Sequence, residues 1–281
     1  MATKIQRPMG QQAENTESPA AQSASSAPTP VLEHPPIAEV VCGWVFEPLS
    51  LDGMLLGVYW DERKEDFPKR SLQPPVVDGP AVILVQSNAR AMLESAAGDH
   101  LIQAQHDRFF FNWRGPREEY PRFSPSEGRP ALLGRALAEF DRFAGFCERR
   151  AGRRPTVKRL ELTKVDVLHR GQDWSDLDDL ASLVPLTGTF GPVQEHGRRE
   201  IALRFVERRE RETLVVSLHS LLNEAGGDTT ALQIETRVIR QFPPDESYES
   251  GLRSANNAAN RVFFKLIPKP DRFGIVSEGT Q

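Results

Sequence analysis

The chain has 281 residues, 39% of them apolar, and a formal net charge of −4. This is enough apolar material for one well-buried domain or two closely packed halves. The acidic balance argues against a dedicated nucleic-acid protein, which is usually basic overall. Arginine supplies 28 of the 35 basic residues; a GC-rich coding bias accounts for that excess as well as any need for bidentate contacts.

Two cysteines, Cys42 and Cys147, lack metal-ligand spacing and read as small core hydrophobes of a reducing cytoplasm. No apolar run approaches the ~18 residues of a membrane-spanning helix. Residues 1–30 have no apolar core of a signal peptide.

Residues 1–34 are rich in Ala, Ser, Gln, Pro and Thr and are expected to be a disordered tail, since burial cannot offset their ordering entropy. A single domain is expected over 35–281, with halves at 35–170 and 180–281. Ile37–Phe46 is apolar on both sides and reads as a central strand. Ser50 is expected to cap a short helix with the stripe Leu51, Met54, Leu55 and Val58. Residues 61–80 read as a proline-rich surface connection, and Ala81–Val85 as an extra strand.

Arg90–Glu94 and the turn signal at 96–99 predict a hairpin leading into Leu101–Arg114. The latter reads as one long strand. Alternation then puts Gln103, Gln105, Asp107, Phe109, Phe111 and Trp113 on one face, and His106, Arg108, Phe110, Asn112 and Arg114 on the other. Pro130 suits the first turn of a helix running to about Arg150, with the stripe Leu133, Ala136, Leu137, Phe140, Phe143, Ala144 and Cys147. Gly152 and Pro155 end it.

A strand follows at Leu160–Leu168, then an acidic loop at Asp173–Asp179 that doubles as a helix start. Four strands are expected at about 186–194, 200–207, 213–222 and 230–241. Pro243 and Pro244 break the sheet, and a last helix at about 248–267 carries Leu252, Ala255, Ala259, Val262, Phe263 and Leu266 on one face. The fold class is α+β: a largely antiparallel sheet in two similar halves, with three main helices packed against it.

Several stretches resemble a bacterial family of scattered distribution. They are Pro35-Pro36 with Glu39–Gly43, the signature Leu-Ile-Gln-x-Gln-x-Asp-Arg-Phe-x-x-Asn-Trp-Arg at Leu101–Arg114, Tyr-Pro-Arg-Phe at Tyr120–Phe123, and Glu161-Leu162-Thr163. The likeness covers residues 35–170 and beyond that is one of layout. Members carry a histidine inside the last helix and a tryptophan near the end; this chain has an asparagine-rich helix and Phe273. The resemblance implies an architecture and assigns no activity.

Arg108, Asn112 and Arg114 form the first candidate binding set, and Asn257 and Asn260 of the last helix a second. Asp107 and Arg108 are expected on opposite faces. A structural network would need the same inventory, because buried polar groups must be paired. The six histidines show no metal-ligand pairing, and no nucleophile elbow, phosphate loop or dinucleotide fingerprint occurs. The basic residues from Arg149 to Arg159 lack interleaved aromatic side chains and read as a solvated helix end. The expectation is a binding or regulatory module without catalysis, cofactor or metal, whose partner is a protein. The alternative is a small-ligand or enzymatic domain with a pocket between sheet and last helix, built from Arg108, Asn112 and Asn257 or Asn260.

Overall fold

The computed structural model describes residues 30–76, 89–124, 131–188, 201–222 and 229–276. The first described strand, β1 (Val31–Leu32), pairs with residues Ile275–Val276 near the other end of the chain. Leu32 is buried, and the Arg122 guanidinium donates to the carbonyls of Leu32 and Glu33. The expected tail therefore stops short of 34, and the rest of it lies outside the described residues. The short apolar pair Val31-Leu32 gives too little periodicity to mark a strand.

β2 (Ile37–Phe46) is central, as its two apolar faces require. The helix α1 (Gly53–Arg63) follows. Its cap is Asp52, whose carboxylate accepts from the Leu55 amide at 2.9 Å, and not Ser50. Leu51 is buried ahead of the helix, while Leu56 and Tyr59 face inward and Met54 and Val58 are exposed. β3 (Lys69–Gln73) is an edge strand with every residue exposed, held by backbone pairing to β4 (Arg90–Glu94). Its polar sequence hid it inside the expected surface connection. Ala81–Val85 lies outside the described residues, as does Pro130.

The stretch read as one strand is a hairpin of β5 (His100–Gln105) and β6 (Arg108–Arg114) around a two-residue turn, His106-Asp107. Neither turn residue has a positive φ, so the Asn-Gly type of signal that marks tight hairpins is missing. α2 (Leu132–Ala151) buries Leu133, Ala136, Phe140, Phe143, Ala144 and Cys147 as expected, with Leu132, Glu139 and Phe146 in addition. Gly152, at φ 78°, ends it in the left-handed conformation that glycine adopts without strain. Tyr59 wins the inward position on α1 because its ring packs against Phe143 and Phe146.

β7 (Val157–His169) opens the second half, so the division falls after α2 and not near residue 170. A fourth, seven-residue helix, α3 (Leu177–Leu183), starts at the acidic run with Asp176 as its cap. Pro185–Gly188 forms a 3₁₀ turn and not the start of a strand, with residues 189–194 outside the described set. β8 (Ala202–Arg208), β9 (Glu212–Leu222) and β10 (Thr229–Gln241) then form a meander, followed by α4 (Tyr248–Leu266) and β11 (Ile275–Val276).

The nine-stranded sheet runs β3-β4-β5-β6-β2-β7-β10-β9-β8, antiparallel throughout. Leaving out β3 and the terminal pair β1 and β11, each half is strand, helix, three strands, helix, and the halves meet where β2 pairs with β7. This is the α+β fold of two similar units. The four described helices all lie on one side of the sheet. The core beneath α1 and α2 is aromatic: Trp44 stacks on Phe140 at 4.5 Å and Phe109 on Phe143 at 4.8 Å. A second cluster joins Leu180 and Leu183 of α3 and Phe263 of α4 to Leu168, Leu232 and Ile234.

Phe140 touches Trp44, Phe109 and Tyr248 and is 3% exposed. Phe140→Ala should therefore cost about 3–5 kcal/mol of unfolding free energy through the cavity it leaves. Urea denaturation measures this; a loss below about 0.5 kcal/mol, the range of a neutral surface change, would contradict the packing described.

Candidate functional site

The two-residue turn between β5 and β6 changes which side chains share a face. In one continuous strand residues 105 and 108 would point opposite ways; in the hairpin they are cross-strand partners on one side. Leu101, Gln103 and Gln105 thus join Arg108, Phe110, Asn112 and Arg114 on the side away from the helices. Ile102, Ala104, Phe109, Phe111 and Trp113 line the core. The mixed faces of the sequence reading resolve into one apolar and one polar face.

Asp107 and Arg108 do meet, contrary to the sequence reading. The guanidinium of Arg108, 2% exposed, lies 3.3 and 3.2 Å from the two Asp107 oxygens. Gln105 Nε2 donates to Asp107 Oδ1 at 2.6 Å, and the Gln105 amide exchanges hydrogen bonds with the backbone N–H and C=O of Val76 at 2.9 and 3.0 Å. One side chain thereby ties the connection after β3 to the sheet, in the manner of a strand pair. Alongside, Arg90 donates to Gln103, Gln103 to Asn112 Oδ1 at 3.1 Å, and Asn112 to Glu39 at 2.6 Å. Arg114 is exposed and holds the Gly98 carbonyl and Glu94. These groups bind one another, as a network tying loops to a sheet must.

The pattern continues towards the middle of the sheet. The Phe110 ring lies against Gly43, where an added Cβ would come to 2.6 Å of it, an approach that glycine permits. Glu161, cross-strand from Gly43 and 2% exposed, is held between Arg159 and Arg237. Farther on, Thr163, Val165 and Val167 of β7, Gln233, Glu235, Arg237 and Ile239 of β10, and Val215 of β9 are half-buried on the same helix-free side.

The second candidate set sits on the other side. Lys164, on the helix-facing side of β7, donates to Asn260 Oδ1 of α4 at 2.6 Å. Asn257 is exposed on the outer surface of α4, beside Ser250, Arg253, Ser254 and Arg261. Arg108 and Asn112 therefore cannot share a pocket with Asn257 or Asn260: the thickness of the sheet separates them. The expected pocket between the sheet and the last helix does not form from that set.

What does lie under α4 is a buried polar seam that the sequence reading missed. Lys164 is 6% exposed and Asp166, two residues on and on the same face, 3%. Burial brings the Lys164 amine down to about 8 against the pull of Asp166 and Cys42. Burial also pushes the Asp166 carboxyl up to about 7, opposed by Lys164 and Arg117. Arg117 is held by a two-pronged contact to Asp173 at 2.8 and 2.7 Å. The Thr236 hydroxyl, cross-strand from Lys164, and Asn256 Oδ1 are buried without a hydrogen-bond partner. The signal was present in the alternation Leu160, Leu162, Lys164, Asp166, Leu168, where two charges occupy an otherwise apolar face.

Other groups with chemical potential are engaged. Burial pushes the Cys42 and Cys147 thiols each up to about 12, which leaves no thiolate at neutral pH. His100 Nε2 faces the Arg135 guanidinium at 3.1 Å and must accept there, so its Nδ1 proton points to Asp99 at 2.8 Å. Ser95 donates to Asp99 and not to the imidazole, so this trio has no nucleophile–base contact. In the basic stretch, Arg149 and Arg150 meet Glu62, Arg153 and Lys158 meet Glu47, and Arg154 meets Asp141 and Glu148. It is a charge-compensated surface.

Comparison with known proteins leaves the geometry to speak for itself: no protein-family model matches the chain, and no curated protein matches it.

If the Arg108 network is structural, Arg108→Met strands the Asp107 carboxylate and should lower unfolding free energy by about 3–5 kcal/mol. A thermal or urea melt at or above wild type would instead make this hairpin a site whose partner lies outside the fold.

Proposed function

We propose that the protein is a non-catalytic binding module whose partner is a protein lying across the helix-free side of the sheet. The observation that carries this reading is the one-sided placement of the helices. It leaves Val165, Val167, Val215 and Ile239 half-buried on the opposite side among Glu235, Arg237 and Gln233. Apolar side chains interleaved with both signs of charge suit a protein surface better than a phosphate backbone, which selects for unpaired basic groups. Arg237 and Arg159 here are committed to Glu161. The polar groups nearer the hairpin hold one another, which supports a binding role over catalysis. The buried thiols agree with a reducing cytoplasm, and the signature at Leu101–Arg114 with membership of the bacterial family it resembles.

A second reading, a small-ligand or enzymatic domain, rests on the buried Lys164 and Asp166, since perturbed ionisable groups gather at functional sites. It is the lesser reading because both side chains are closed off from solvent, at 6% and 3% exposure.

Photo-crosslinking in the native cell tests the first reading. A photoreactive side chain at Val167 or Ile239 should give one discrete protein adduct, and at Asn257, on the outer surface of α4, none. Equal labelling from all three positions, or none from Val167 and Ile239, would overturn it.

A further inference from the structure

The sheet ends differently in its two halves. In the first, the outer strand β4 is covered by β3, whose residues are all exposed and which pairs with β4 from Lys69 opposite Glu94 to Gln73 opposite Arg90. In the second, β8 holds the place that β4 holds in the first: it opens the run of three strands and lies farthest from the β2–β7 pair. No strand covers it among the described residues. One end of the sheet thus carries a strand added largely by backbone pairing, at the position equivalent to the outer edge of β8. We propose that this edge of β8 binds an extended protein segment as an added antiparallel strand. The segment carries acidic residues facing Arg204 and Arg208 and apolar residues facing Leu203 and Phe205.

The backbone of β8 is set for such pairing. It runs beside β9 without a register shift, from Ala202 opposite His219 to Arg208 opposite Thr213. The Ser220 N–H donates to the Ile201 carbonyl at 2.9 Å and the Arg209 N–H to the Glu212 carbonyl at 2.8 Å, so the odd-numbered residues are those bonded to β9. Antiparallel alternation then turns the N–H and C=O groups of Ala202, Arg204, Val206 and Arg208 outwards. β8 has no proline and no bulge, two of the devices that keep an edge strand from pairing. Charge is another such device, and here it sets which strand is accepted.

The side chains supply that choice. Leu203 and Phe205 lie opposite Leu218 and Val216, both buried in the second apolar cluster, and so face the helix side. Leu203 packs against that cluster, while Phe205 remains 45% exposed at the rim. Arg204, Val206 and Arg208 lie opposite Ser217, Val215 and Thr213 and face the helix-free side. Both arginines are exposed, and neither has a carboxylate partner among the described residues, whereas Glu207 is paired to Arg209. Carboxylates directly across from Arg204 and Arg208 gain opposite-charge cross-strand contacts, and apolar side chains across from Phe205 cover its ring. A second copy of β8 suits the edge less, because pairing end to end gathers Arg204 and Arg208 of both copies on one face. The site is defined by β8 and does not rest on what covers Val167 and Ile239.

Titrating the isotope-labelled full chain with the peptide Thr-Asp-Thr-Val-Val-Glu-Ile-Thr tests this by NMR. Amide shifts should change along β8 and β9 and hardly elsewhere, and the amide protons of Ala202, Arg204, Val206 and Arg208 should become protected from exchange. Replacing both acidic residues of the peptide by lysine, or combining Arg204→Glu with Arg208→Glu, should weaken binding by about ten-fold or more. Val206→Pro removes only an outward N–H, so it should abolish binding while the urea melt stays near that of the unmodified chain. If that variant does not fold, the arginine variants still decide. The proposal is overturned if neither peptide binds, if both bind equally, or if the shifts fall elsewhere. Outward amides already protected before any peptide is added would overturn it too, since another segment or a second copy would then hold the edge.

Discussion

The pairing of β2 with β7 is the contact on which the rest of the molecule depends. It extends from Ile37 opposite Asp166 to Phe46 opposite Val157 and converts two strand–helix–three-strand–helix units into one sheet. The first unit does not close its core alone. Leu160 and Leu162 of the second half are packed in the aromatic core beneath α1 and α2, together with Leu252 and Ala255 of α4. Every described helix then falls on the same side, and among the described residues the opposite side carries mostly polar and half-buried side chains. The proposed binding face follows from that arrangement.

Much of this architecture was written in hydrophobic periodicity. The α2 stripe, the central position of β2, the β8–β10 meander and the asparagine-rich α4 all appear where alternation or helical spacing puts them. Two kinds of feature were hidden. One is the β5–β6 hairpin, whose His106-Asp107 turn lacks glycine and so hides a change of face. That single omission separated Gln105 from Arg108 and placed Asp107 and Arg108 on opposite faces, although they are in contact. The other is β3, whose residues are all exposed and which joins the sheet by backbone pairing to β4, with Lys69 reaching Glu94 and Arg70 lying over the Trp60 ring.

The candidate site divides in the same way. Arg108 and Asn112 were identified from their residue types, but Glu39, which accepts from Asn112, and Val76, which pairs with the neighbouring Gln105, come from distant parts of the chain that no local pattern links to them. Asn260 was placed correctly on α4, while its partner Lys164 was overlooked inside a strand that looked simply apolar. Charge in a sequence says that a partner is needed, and only the fold says whether that partner is internal. For the hairpin network it is internal, at Asp107, Gln105 and Glu39. Under α4 it is incomplete, since Thr236 and Asn256 retain unpaired polar atoms. Polar groups of the first kind fix a structure; those of the second are costly to bury.

The pairing of β2 with β7 makes the two halves one cooperative unit joined at their central strands. Amide exchange under mildly denaturing urea measures this most directly. The amides of β2 and β7 should be the slowest in the molecule, exchange only by global unfolding, and share one urea dependence. If instead the two halves lose protection at separate urea concentrations, with β2 and β7 exchanging ahead of β6 and β10, the seam does not hold the fold together and the account is wrong.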